Sequence, residues 1–201
     1  MSLPKLIVTW VMVVASLGSA HCEQLFILVD NSGSMATAER RQVVEEVIDF
    51  ELGKIGAGTD VSVTFFQGPS GEELSTENSN CESEVAIEDT EPYQPEQWDL
   101  QIPAASGSTP ILSALDALAK EDISDSDQIV LITDGSYACA PLKEICTKVD
   151  YIHRSAGNAA IKVSLVDPTI AVLDELSCIT APSRATSFEF SYSPNLLNVR
   201  I

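Results

Sequence analysis

From Gln24 to Asp30 the chain reads Gln-Leu-Phe-Ile-Leu-Val-Asp, apolar without a break until it ends on a carboxylate. Such a run predicts a parallel strand buried on both faces. From Ala36 to Leu52 the period becomes helical: Val43, Val44, Val47 and Ile48 share one face, while Glu39, Arg40, Arg41, Glu45 and Glu46 take the other. Glycines between Gly53 and Gly58 close that helix, and Val61 to Phe66 is the next strand. Between Gln67 and Gln101 the regular pattern lapses into a polar stretch rich in Glu, Ser and Asn. Within it, Glu84 to Glu88 alternates apolar and charged positions and predicts a short edge strand.

Pro110 to Lys120 predicts a helix with Ile111, Leu112, Leu115 and Leu118 inward. Gln128 to Thr133 is a second buried strand, followed by Asp134. Beyond it the pattern predicts a helix over Leu142–Ala156, a strand over Ile161–Val166, a helix over Thr169–Cys178 and a last strand over Ala185–Phe190. A short tail follows from Ser193. Strands alternating with helices predict an α/β domain built on a mainly parallel sheet. Ligand sites in such sheets lie at the carboxyl ends of the strands, where strand order reverses.

Residues 1–20 stand apart from this pattern. Lys5 is their only charge, Leu6 to Leu17 is almost continuously apolar, and Gly18 and Ala20 suit the −3 and −1 positions of a signal-peptidase site. The apolar run is shorter than the ~20 residues a membrane span needs. We therefore expect a signal peptide over 1–20, an exported chain that is extracellular or periplasmic, and a single domain over 21–201 without membrane insertion.

Charge narrows the partners. The chain carries 30 acidic and 11 basic residues, a formal net charge of −19, which disfavours nucleic acid and anionic membrane surfaces. Two histidines leave little material for histidine-based catalysis, and His153 is expected as a partly exposed residue on a helix face. No Gly-x-Ser-x-Gly occurs, and the Ser-x-x-Lys of Ser2 to Lys5 falls inside the signal. We expect no enzyme. All five cysteines lie beyond residue 20. In an oxidising compartment at most two bonds form within the chain and one thiol is left over.

Three segments carry the candidate chemistry, each at a strand end or helix start: Asp30-Asn31-Ser32-Gly33-Ser34-Met35, Ser106-Gly107-Ser108-Thr109-Pro110, and Thr133-Asp134-Gly135. Taken singly, each has a local explanation. Asp30 and the serines could cap the first helix, Thr109 could cap the next with Pro110 at its first position, and Asp134-Gly135 could be a turn pair. Taken together, Asp30, Ser32, Ser34, Thr109 and Asp134 are hard oxygen donors from three loops that the fold brings to one edge. That chemistry suits Mg²⁺, Ca²⁺ or Mn²⁺ better than zinc.

This set resembles the metal-ion-dependent adhesion site of von Willebrand factor type A domains. Asp-x-Ser-x-Ser is met by Asp30, Ser32 and Ser34, the family's threonine by Thr109, and its second aspartate by Asp134. The resemblance implies a Rossmann-like, doubly wound sheet of six strands with one antiparallel edge strand and helices on both faces. It implies direct metal contacts from Ser32, Ser34 and Thr109, with Asp30 and Asp134 acting mostly through water. One divalent cation, Mg²⁺ foremost, would then keep an open position for an Asp or Glu carboxylate of a partner protein. The net charge does not forbid this, because remote charge is screened beyond about 8 Å at physiological salt. The alternative is an assembly role in which the metal only stabilises loops.

The chain is also similar to a secreted bacterial branch of that family with a cysteine pair after the second aspartate. That similarity implies a Cys139–Cys146 bond worth roughly 2–3 kcal/mol of denatured-state entropy. It further implies a Cys22–Cys178 bond at the edge away from the metal, and leaves Cys81 as the free thiol.

Overall fold

The computed structural model describes residues 23–68, 83, 85–135, 140–155, 159–167 and 188–190. Its core is a sheet of order β3-β2-β1-β4-β5-β6. Five strands run parallel: β1 (Gln24–Asp30), β2 (Asp60–Phe66), β4 (Gln128–Thr133), β5 (Ala160–Leu165) and β6 (Phe188–Phe190). The sixth, β3 (Glu91–Pro92), is two residues long and antiparallel at the edge beside β2. The helices are α1 (Ala38–Leu52), α2 (Ile111–Leu118) and α3 (Leu142–Ser155), and a 3₁₀ turn spans Gly33–Ala36.

Alternation along the strands sorts the core into two layers. Phe26, Leu28, Ile129, Leu131, Ile161 and Val163 face α2 and α3, meeting Ile111, Leu115, Leu118, Ile145, Val149 and Ile152. Leu25, Ile27, Val29, Val61, Val130 and Ile132 face the other way, onto Val43, Val44, Val47, Ile48 and Leu52 of α1. Helices thus cover both faces, as the unbroken apolar runs of β1 and β4 require. The expected helix over Thr169–Cys178 lies outside the described residues.

The edge strand expected over Glu84–Glu88 is replaced by an irregular segment over 85–90, and the antiparallel strand falls at Glu91–Pro92. The reason lies in β2. Its face toward α2 carries Ser62 and Thr64, both buried polar groups that need partners. Ser62 Oγ donates to Glu88 O at 2.7 Å, and the Glu88 N–H donates to Thr64 Oγ1 at 3.0 Å. Val85 and Ile87 pack on the same core layer. Side-chain hydroxyls therefore hold this segment across the face of β2, so it does not extend the sheet.

Two buried carboxylates secure elements away from the strands' carboxyl ends. Asp127, just before β4, accepts the Gln24 N–H at 2.9 Å and the Ser124 N–H at 2.7 Å. Glu51, on the last turn of α1, pairs with Lys162 of β5 and with Lys54 at 3.2 Å. His153 is buried in the last turn of α3, against the expectation of partial exposure, with Nδ1 lacking a hydrogen-bond partner. Among the described residues no helix is long and apolar enough to cross a membrane.

Candidate metal centre

Strand order reverses between β1 and β4, whose carboxyl ends lie side by side with Val29 opposite Ile132. Asp30 ends β1 and Asp134 follows β4, so the fold sets two buried carboxylates at this crevice.

Backbone hydrogen bonds bring in the loop before α2. The Gly33 N–H donates to Gly107 O at 2.9 Å, and the Ser106 N–H donates to Asn31 O at 2.9 Å. From below, the Gly68 N–H donates to Ser108 O at 2.8 Å. Contact there is so close that a Cβ on Gly68 would stand 1.9 Å from Ser108 Oγ. Thr109 is buried between these anchors. Asn31 supports the arrangement by donating Nδ2 to Gln67 Oε1 at 2.8 Å and to Ala104 O at 3.2 Å.

The local explanations of the motif residues can now be tested. The helix expected over Ala36–Leu52 starts two residues later: the loop after β1 first makes the 3₁₀ turn, which buries Met35, and α1 begins after Thr37. Thr37 caps α1, accepting the Arg40 N–H at 3.3 Å. Asp30, Ser32 and Ser34 are therefore not its caps. The cap of α2 is Pro110, so Thr109 stands one residue outside the capping position. Gly135 has φ 79° and its N–H donates to Thr133 Oγ1 at 3.1 Å, so a side-chain bond spans Asp134.

Within the crevice, Ser32 Oγ and Ser34 Oγ are 3.0 Å apart, with Ser32 buried and Ser34 exposed. Asp30 is fully bonded: Oδ1 accepts the Ser32 N–H at 2.9 Å and Oδ2 accepts the Thr133 hydroxyl at 2.8 Å. Burial pushes its carboxyl up from 3.8 to about 6; the bonds from Ser32 and Thr133 oppose the rise and the Asp134 charge adds to it. Arg40 Nη1 lies 2.7 Å from both Asp134 Oδ2 and Ser34 O, and Nη2 lies 3.1 Å from Asp167 Oδ2. A cavity of about 510 Å³ opens beside them, lined by Ser34, Thr37, Arg40, Val43, Val166 and Asp167.

All five candidate metal residues thus fall on three loops tied together at one pole of the sheet. Thr133, Asn31, Gly68, Arg40 and Asp167 belong to the same site and are not evident as donors from sequence. Thr133 and Asn31 had a signal, their places in Thr-Asp-Gly and in the segment after β1. Among the described residues no cluster of three or more His, Cys, Asp or Glu side chains could hold a metal. The donor set instead pairs two carboxylates with three hydroxyls, which fits a hard divalent cation. Cys146, on α3, is disulfide-bonded. Cys22, Cys81, Cys139 and Cys178 lie outside the described residues, and so do both expected pairings and the expected free thiol.

No protein-family model matches the chain, and no curated protein matches it. Solved structures do. The chain is similar to a von Willebrand factor type A protein from Catenulispora acidiphila at 15% identity, covering 85% of this chain and 38% of that one, with a TM-score of 0.53. It is similar to proximal thread matrix protein 1 from the mussel byssus, solved with a zinc-occupied MIDAS motif, at 15% identity over 86% and 42% of the two chains and a TM-score of 0.53. It is also similar to the manganese-loaded TRAP protein of Plasmodium vivax at 11% identity, over 87% and 69%, with a TM-score of 0.51. The chain spans about two fifths of the length of the first two. The order of the strands, the antiparallel edge, the helices on both faces and these likenesses together establish that this chain has the von Willebrand factor type A fold.

Proposed function

We propose that the chain is an exported, metal-dependent protein-interaction module that captures an acidic side chain of another protein through one divalent cation. The observation that carries this reading is the convergence of Ser32, Ser34 and Thr109, none of which caps α1 or α2, on the edge that holds two buried carboxylates. Ser32, Ser34 and Thr109 would supply neutral oxygens, and Asp30 and Asp134 the charge. Both oxygens of Asp30 already accept hydrogen bonds from the chain, which suits action at one remove from the ion. A cation held mainly by neutral hydroxyls stays electrophilic, and a carboxylate is its natural further ligand. Mg²⁺ is the first candidate; the manganese-loaded TRAP protein and the zinc-occupied mussel MIDAS make Mn²⁺ and Zn²⁺ worth testing beside it.

Binding is favoured over catalysis because the carboxylates described at the crevice are already engaged, Asp30 by Ser32 and Thr133, and Asp134 and Asp167 by Arg40, while His153 lies in the last turn of α3, which leads into the opposite end of β5. The signal-like segment over 1–20 and the disulfide at Cys146 support export. We keep Cys139 as the partner of Cys146 and Cys22 as that of Cys178.

Calorimetric titration of the full chain with Mg²⁺, Mn²⁺, Ca²⁺ and Zn²⁺ tests the reading. Saturable one-site heat that Asp134→Ala removes is expected. With Mn²⁺ bound, water-proton relaxation should be enhanced by a metal-held water and fall when acetate takes its place. Absence of saturable heat from every ion would overturn the metal site, and relaxation insensitive to acetate would overturn carboxylate capture.

A further inference from the structure

Arg40 is the third residue of α1, in its first turn, where the positive end of the helix dipole disfavours a cation. Three oxygens hold it there nonetheless. Nη1 is 2.7 Å from Asp134 Oδ2 and 2.7 Å from Ser34 O, and Nη2 is 3.1 Å from Asp167 Oδ2. Two of these three belong to residues of the candidate metal centre. The Asp134 side chain is 4% exposed and that of Asp167 is 60% exposed, so Arg40 joins a buried carboxylate to one that faces water. Asp167 is the one described non-glycine residue with positive φ, at 50°, in the bend that follows β5. That backbone conformation is uncommon outside glycine, and aspartate tolerates it better than most residues do.

We propose that Arg40 is an internal counter-cation of the site, competing with the divalent ion for Asp134, so that metal binding drives Arg40 off Asp134 and leaves it on Asp167. The inference rests on the metal reading above and concerns a residue which that reading does not use. A guanidinium stays charged at every accessible pH, so its competition is not relieved by proton loss. Two cations sharing one carboxylate that is nearly removed from water repel strongly, since little solvent screens them. The adjoining cavity, of about 510 Å³, gives the side chain room to swing without moving α1, and Asp167 on its wall remains a partner. Arg40 then sets the metal affinity, and the centre exchanges one cation for another instead of standing as a bare acidic cluster.

The test compares Mn²⁺ titrations of the full wild-type chain, Arg40→Gln and Arg40→Lys, with thermal melting to confirm folding. Arg40→Gln is expected to bind Mn²⁺ about tenfold more tightly, within the usual range of coupling between two sites. Arg40→Lys, which keeps the charge, should stay nearer wild type. An Arg40→Gln chain that binds Mn²⁺ equally or more weakly overturns the inference while leaving the metal site intact. Loss of saturable heat in both wild type and Arg40→Gln overturns the metal reading as well. A second measurement avoids dependence on the variant's folding: in the ¹⁵N-labelled wild type, the Arg40 guanidinium resonance should shift on Mg²⁺ addition. A resonance unmoved at saturating Mg²⁺ would count against displacement.

Discussion

The Thr133 hydroxyl donates to Asp30 Oδ2 at 2.8 Å, joining the ends of β1 and β4 through a buried side-chain bond. The Thr133 hydroxyl oxygen accepts the Gly135 N–H at 3.1 Å, so one hydroxyl orients one carboxylate and the backbone beside the other. Thr133→Val keeps the shape and removes both roles. It leaves a buried carboxylate oxygen and a buried amide short of partners, each worth roughly 1–3 kcal/mol. We expect a destabilisation of about 2–4 kcal/mol in urea melts, together with weaker Mn²⁺ binding. Unchanged stability would mean that water replaces the hydroxyl.

Asp30 makes metal-free stability depend on pH. Its folded carboxyl titrates at about 6 against 3.8 for an unperturbed one, so the folded state holds the proton more tightly than the unfolded state does. Its contribution is therefore fully present below pH 3.8 and is lost as pH rises through 6. That loss amounts to roughly 3 kcal/mol if it acts alone. In chelator, Asp30→Asn should flatten the fall between pH 4 and about 7, as read by thermal melts across that range. An identical slope in wild type and variant would refute this assignment.

Gly68 is a close-approach glycine. A Cβ there would meet Ser108 Oγ at 1.9 Å and Ser108 O at 3.3 Å. Gly68→Ala should push the Ser108–Thr109 loop away from Gly68 and strain its anchorage, with an overpacking penalty of about 1–3 kcal/mol. Mn²⁺ affinity is expected to fall more than stability does, since the loop carries a proposed ligand. Calorimetry beside urea melts separates the two effects.

Glu51 and Lys162 tie α1 to β5 across the rear of the sheet. Glu51 is buried, and the Lys162 side chain is far less exposed than that of Lys54, the other partner. Lys162→Met should be destabilising by about 3 kcal/mol, because it removes the better-buried cation from a buried carboxylate. Lys54→Met should change stability by about 1 kcal/mol or less. Equal effects in urea melts would show that the two lysines share the pairing.

Much of this architecture was legible along the chain. The spans expected for β1, Gln24–Asp30, and β4, Gln128–Thr133, coincide with those observed, because each is an unbroken apolar run closed by a polar residue. The places of the three loops of candidate donors were legible for the same reason, since each abuts such a strand or opens a helix. Three features were not. The segment over 85–90 has strand-like alternation but is held by Ser62 and Thr64, whose burial depends on tertiary structure. The start of α1 after Thr37 turns on a 3₁₀ turn that no periodicity announces. Arg40 looked like a solvent-facing helix residue because Asp134 and Asp167, its partners, lie 94 and 127 residues away in sequence.

Asp127 adds a practical consequence. Like Asp30 it is a buried carboxylate with both oxygens engaged, but it fastens the first amide of β1 while Asp30 is itself the last residue of that strand. The chain therefore carries a matched internal reference for its own experiments. Asp127→Asn should lower the melting temperature and leave the metal isotherm of the folded population unchanged. Any effect that substitution of Asp30 shares with it reports on folding, and the remainder belongs to the crevice.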